Sequence, residues 1–216
     1  EICACLVGSE MCIRDSVYRT AGVLAGLGLS YGGATTEEDV VGLIFADQGI
    51  DLSKISGDIK IVSYLQGYGD TTTDEINAAI QAAPEAFISV GMATTFFTQQ
   101  LNAAGIEFSD IDSFTKSNGE AITNGKLVYL AGKYSSSVGP AFALVMNAIN
   151  GNVIRDAQGN AVSLSQNYQV ATDSETFDKF YKNDNGDNPI YSRDTLDQII
   201  GDTVTFDTIN EVVASN

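Results

Sequence analysis

Short apolar or alternating runs occur through the middle of this chain, separated by longer stretches whose apolar residues recur every three or four positions. The first kind predicts strands and the second predicts helices with one buried stripe. Residues 59–65 (IKIVSYL), 86–90 (AFISV), 106–112 (IEFSDID) and 127–131 (LVYLA) read as strands. Between them, Thr72-Thr73-Asp74-Glu75 makes a capping box that opens a helix through Ile76 and Ile80, stopped by Pro84. Gly91 turns into another helix bearing Phe97, Leu101 and Ala104, which Gly105 ends. Strands alternating with helices over short connections predict an α/β fold, a parallel sheet with flanking helices.

The ends of the chain are less regular. Residues 18–29 carry Val23, Leu24 and Leu27 on a helix-like face that Gly22, Gly26 and Gly28 weaken. Thr36-Glu37-Glu38-Asp39 starts a helix over residues 40–46, and residues 49–57 read as loop. Residues 153–170 suggest a hairpin-like pair around Gln158-Gly159-Asn160. Short helices come next, near residues 175–181 and 195–200, then a tail over 206–213.

The most informative stretch is residues 125–152, GKLVYLAGKYSSSVGPAFALVMNAINGN. Gly132 and the serines at 135 to 137 break its strand, and one of those serines can N-cap the next helix. Pro140 falls in the first helical turn, where a missing N–H costs little. Val138, Phe142, Val145, Met146 and Ile149 then recur at helical spacing until Asn150-Gly151. Lys133 and Tyr134 stand at the strand's carboxyl end, the rim at which open α/β sheets hold ligands.

Composition narrows the chemistry. A net charge of −17 argues against nucleic acid, whose phosphates attract lysine and arginine. The absence of histidine removes the usual general base and the commonest metal ligand. No Ser-x-x-Lys stands at a convincing helix start. Asp110 and Asp112 would point to one side of a strand, but a paired-acid hydrolase needs its carboxylates across a substrate. Gly26-Leu27-Gly28 lacks the third glycine and the preceding strand of a dinucleotide loop. The run from Asn183 to Asp187 reads as a turn, because an EF-hand phase puts Tyr181 and Ser192 where Asp and Glu are required. No catalytic constellation appears, so these features predict no enzyme, no cofactor and no metal.

All three cysteines (Cys3, Cys5 and Cys12) fall in the first twelve residues. The run from Cys5 to Ser16, CLVGSEMCIRDS, resembles a translated sequencing adapter, so residues 1–16 are expected to be an artefact and native sequence to begin near Val17. The rest of the chain then has no cysteine for a disulfide or redox motif.

Residues 125–152, with the order of elements before them, resemble the type I periplasmic (solute-binding) fold, the ribose/galactose-binding family of ABC importers. The similarity lies in the G-K-L strand, the polar residue after it, the glycine-containing turn and the amphipathic helix with its short Gly stop. Arg19-Thr20-Ala21-Gly22 resembles the R-x-x-G helix that opens the family's C-terminal lobe. The resemblance implies a Rossmann-like C-terminal lobe over residues 17–132, a hinge crossover helix and return segment over 133–165, and an extension over 166–216. Within that extension, Asn188-Pro189-Ile190-Tyr191-Ser192 is similar to a segment of some lipid-anchored binding proteins of Gram-positive bacteria.

The same resemblance implies an extracytoplasmic substrate-binding component that takes a small, sugar-like solute and hands it to an ABC permease. Membrane attachment would come only through a lost lipid anchor. Ligand contacts are implied at Tyr68, at Gly91 and Met92, at Asp112, and at Lys133 and Tyr134. One departure stands out: the Asn-Asp that sugar binders carry after this strand is missing after Val90-Gly91. A less polar ligand, or an anionic one meeting Lys133, becomes an option. With the N-terminal lobe missing, the helix over 138–149 is expected to expose its apolar face and the fragment to bind weakly or not at all. The effector domain of a lac-repressor-type regulator shares the fold, but the acidity and the polar extension disfavour it. The extracellular sensor of a two-component receptor is the other alternative, and a membrane helix beyond either terminus would mark it.

Overall fold

The alternation forms a mixed α/β structure with a mostly parallel four-stranded sheet flanked by helices. The computed structural model describes residues 17–65, 73–132, 138–185 and 189–215. It divides into two compact units, Glu1–Phe108 and Ser109–Asn216.

In the first unit, a helix over 17–26 (α1) forms despite its glycines, because Ala21 and Leu24 gain a buried face. It is followed by strand β1 (Ser30–Tyr31), helix α2 (Glu37–Ala46) and strand β2 (Ile55–Ser56). The α2 start is as expected: Thr36 accepts the Asp39 N–H, and three acidic residues in the first turn face the positive end of the helix dipole. Leu29, Tyr31, Val40, Val41 and Ile44 complete the core.

Two expectations fail here. β1 and β2 pair antiparallel, Ser30 opposite Ser56 and Tyr31 opposite Ile55, so part of the expected loop 49–57 is strand. Residues 59–65, expected as a strand, form none. Ile61 packs on the core while Ile59, Val62 and Tyr64 stay exposed. Apolar alternation tells which side chains seek burial; it does not supply the neighbour whose N–H and C=O groups complete a ladder.

A polar clasp closes this core. The Tyr31 hydroxyl donates to Asp47 Oδ2 at 2.8 Å and accepts the Asp51 N–H at 3.0 Å, while Lys54 Nζ donates to Asp47 Oδ1 at 2.6 Å. The Lys54 hydrogen bond, and after it that of Tyr31, holds the Asp47 carboxyl below its ordinary range. The same contact raises Lys54. A depressed carboxyl contributes stability above its unfolded pKa of about 3.9 and loses it as pH falls through the lower folded value. Asp47→Asn is therefore expected to lower the urea midpoint near pH 7, with the gap closing below about pH 4. A gap of equal size at both ends of that range in parallel urea titrations would refute the linkage.

The unit continues with helix α3 (Thr73–Gln81), strand β3 (Phe87–Ile88), and helices α4 (Ala93–Phe96) and α5 (Thr98–Ala104). Thr72 of the capping box lies outside the described residues. The single helix expected after Gly91 is broken at Phe97, whose φ is −124°. Its buried ring lies 5.3 Å from that of Phe87, and side-chain packing there overrides helical continuity. Gly105 ends α5 in the left-handed conformation, φ 73°, as a C-terminal glycine should.

Strand β4 (Phe108–Ile111) spans the division between the units. The second unit holds helix α6 (Lys116–Thr123), strand β5 (Leu127–Gly132), helix α7 (Gly139–Ile149), strand β6 (Gln169–Ala171), and helices α8 (Ser174–Asn185), α9 (Arg193–Gln198) and α10 (Phe206–Ala214). The sheet order is β3-β4-β5-β6, with β6 antiparallel to β5 through Leu130 opposite Ala171 and Gly132 opposite Gln169. The expected hairpin over 153–170 reduces to one bridge, Arg155 opposite Ala161. Asp156 makes the turn, accepting the N–H groups of Gln158 and Asn160 at 2.9 and 2.7 Å. Phe114 is buried against Phe177 and Phe180 of α8, with ring centroids at 5.9 and 5.2 Å. Val138 occupies the N-cap position of α7 without a side-chain cap, and the serines expected to cap it lie outside the described residues.

Candidate functional site

The carboxyl ends of β4 and β5 meet at Asp112. Its N–H donates to the Ala131 carbonyl at 3.0 Å. Gly132 lies so close that a Cβ there would run into the Asp112 carbonyl oxygen, with the Phe114 ring 3.1 Å away. Glycine is required by this approach and not by its φ. Lys133 and Tyr134 come next in sequence but lie outside the described residues, as does Tyr68.

The half-buried Asp112 carboxylate is held on both oxygens. Oδ1 accepts the Ser113 N–H at 2.7 Å and the Ser113 hydroxyl at 3.3 Å. Oδ2 accepts Asn118 Nδ2 at 3.1 Å, and the same nitrogen donates to the Ser113 carbonyl at 2.7 Å. Asn118 is wholly buried in the first turn of α6. Thr115 caps that helix by accepting the Asn118 N–H. Asp110 is fully buried one pleat back, with Oδ1 accepting the Ile111 N–H at 2.9 Å.

Neither α6 nor Asn118 is among the elements read from the sequence. The signal was Thr115 as a cap, with Asn118, Ala121 and Ile122 at helical spacing before Gly125. A buried asparagine in place of an apolar residue obscured it. The helix also corrects the reading of Ser-x-x-Lys, because Ser113-Phe114-Thr115-Lys116 does precede a helix start. It is not a nucleophile and base: the exposed Lys116 ammonium lies 3.9 Å from Glu120, and the Ser113 hydroxyl points to Asp112.

In the first unit, Gly91 and Met92 form the turn after β3. Gly91 N–H donates to Ser89 Oγ at 3.1 Å, and Met92 takes the left-handed conformation, φ 62° and ψ 30°, at the start of α4. Such a conformation is uncommon for a long side chain. Gln48 and Ala83 adopt it too, so strain alone does not mark Met92 as a site. Arg19, the arginine of the R-x-x-G run, donates from Nη1 to the Val90 carbonyl at 2.9 Å and fixes the start of this turn.

A depression of about 520 Å³ runs along α8, lined by Glu175, Asp178, Lys179, Lys182 and Asn183. Its lining comes from one helix and mixes both charges, with no polar groups converging from a second element. Such a surface lacks the convergence of a ligand site. Among the described residues, no helix is long and apolar enough to cross a membrane. Comparison with protein-family models, curated proteins and solved structures gives no match.

Proposed function

We propose that this chain is the C-terminal lobe, with its crossover helix, of an extracytoplasmic solute-binding protein that serves an ABC permease. The observation that carries the reading is the outer face of α7. Val138, Phe142, Val145 and Ile149 lie along one line of that helix and are 65%, 49%, 57% and 71% exposed. The other face buries Pro140, Ala143 and Asn147, and no residue of the helix is charged. A helix apolar on both sides is built to be covered on both. In the resembled family the crossover helix packs against the first lobe, which fits this stripe.

The Asp112 cluster supports the same reading. A carboxylate at the carboxyl end of a sheet strand, oriented by Ser113 and the buried Asn118, suits acceptance of a hydrogen bond from a solute hydroxyl. Two lobes would close over the solute, and its binding energy would select the closed state that the permease reads. The role is binding, not turnover.

The test is to sequence the gene upstream of the Val17 codon from unfragmented DNA. The expected result replaces the first sixteen residues with a second α/β lobe, preceded by an export signal and neighboured by permease genes. A coding start at residue 1 with no such lobe would overturn the proposal. On the chain alone, Phe142→Lys with Val145→Lys is expected to weaken binding of an apolar fluorescent dye. The melting temperature should change little, because exposed substitutions shift stability by about 0.5 kcal/mol at most.

A further inference from the structure

We infer that Asn118 is a positioning residue, which holds Asp112 so that a single acceptor site, on Oδ2, faces the ligand. The inference rests on the solute-binding reading and narrows what Asp112 can accept. A carboxylate oxygen offers two lone-pair positions. On Oδ1 both are taken, by the N–H and the hydroxyl of Ser113. On Oδ2 one is taken, by Asn118 Nδ2. Among the described residues, one position on Oδ2 remains. Asp112 therefore receives one O–H donor of a neutral solute, and not the paired grip on two neighbouring hydroxyls that a free carboxylate could make.

Asn118 is suited to this role by its own restraint. Its side chain is fully buried, its Nδ2 also donates to the Ser113 carbonyl, and its N–H is fixed by the Thr115 cap. The side chain that aims the carboxylate thus has little freedom of its own. Gly132 leaves room for the Asp112 backbone carbonyl, which a Cβ there would strike, and so lets the end of β4 lie close beside β5. The carboxylate is pre-oriented before any solute arrives, which saves the ordering cost that a free side chain would incur on binding.

The test uses the full chain, labelled with nitrogen-15, with D-ribose and D-galactose raised toward their solubility limits as probes, because a single lobe is expected to bind weakly. One of them is expected to shift the Ser113 backbone amide and the Asn118 side-chain amide. Asp112→Ala should weaken that binding at least about tenfold. Asn118→Ala should do the same alone, yet add nothing in the Asp112→Ala background, because a residue acting through Asp112 has no effect once Asp112 is gone. Losses that add in the double variant would show a general structural role and overturn the inference. If Asp112→Ala weakens binding but Asn118→Ala does not, the inference fails while the solute-binding reading survives. If a sugar binds and Asp112→Ala changes nothing, the site itself fails and the inference with it. Should neither sugar bind the single lobe, or Asn118→Ala not fold, exchange of the Asn118 side-chain amide in the unsubstituted chain decides. Slow exchange that becomes fast in Asp112→Ala supports the inference, and fast exchange in both overturns it.

Discussion

Gly132→Ala is expected to destabilise the second unit by about 3 kcal/mol or more, the upper range for overpacking a filled site. The added methyl would meet the Asp112 carbonyl oxygen and the Phe114 ring. A flexible side chain could swing aside, but a backbone oxygen moves only with its strand. The hydrogen bond from Asp112 N–H to Ala131 ties that strand to β5 just where the methyl would push. For a unit of about 100 residues each kcal/mol lowers the melting temperature by about 4–8 °C, so a fall beyond about 10 °C is expected by circular dichroism. Gly42→Ala in α2 is the matching control. Its Cβ meets nothing within 4 Å, and alanine favours a helix, so stability should hold or rise slightly. A Gly132→Ala melt within about 2 °C of the unsubstituted chain, well under the shift expected per kcal/mol, would show that β4 and β5 are not this close.

The same glycine shows what the sequence could and could not disclose. Strand β5 was legible as an apolar run, and Gly132 as the residue that breaks it. That it is the strand's last residue and also the point of approach to Asp112 depends on a residue twenty positions earlier. Asp112 itself was placed by resemblance, whereas the donors that orient it come from Ser113 and from a helix that local pattern did not reveal. Caps such as Thr36 and the stop at Gly105 were readable because their partners lie within one turn. Strand pairing was not, because it is settled by segments far apart: residues 55–56 find β1, while the more apolar 59–65 finds no ladder. The stripe on α7 was readable as a period, and its exposure depends on which of two apolar faces the extension covers.

Asn147→Leu should cost about 3 kcal/mol, although leucine is close in size and more apolar. Asn147 is wholly buried on the inner face of α7. Its Nδ2 donates to the Ile199 carbonyl at 2.8 Å, and its Oδ1 accepts the Gly201 N–H at 2.8 Å. Both ends of one side chain are thus spent on backbone groups some fifty residues away. Leucine would leave a carbonyl and an N–H without partners beside an apolar cluster of Ala143, Ile199, Ile209 and Val213. Each orphaned group costs about 1–3 kcal/mol, and the gain from burying leucine offsets only part of the sum. Asn152 bonds the same loop, donating to the Gly201 and Val204 carbonyls at 2.8 and 2.9 Å. It is only partly buried, so water can replace those bonds and Asn152→Ala should cost less. Hydrogen exchange separates local release from general loosening. In Asn147→Leu the Gly201 amide should exchange much faster, while amides of β5 change only with global stability. An unchanged melt, or a Gly201 amide as protected as before, would remove this clasp. If it holds, the extension is what fixes the inner face of α7, and thereby presents Val138, Phe142, Val145 and Ile149 outward as a rigid line for the lobe proposed to cover them.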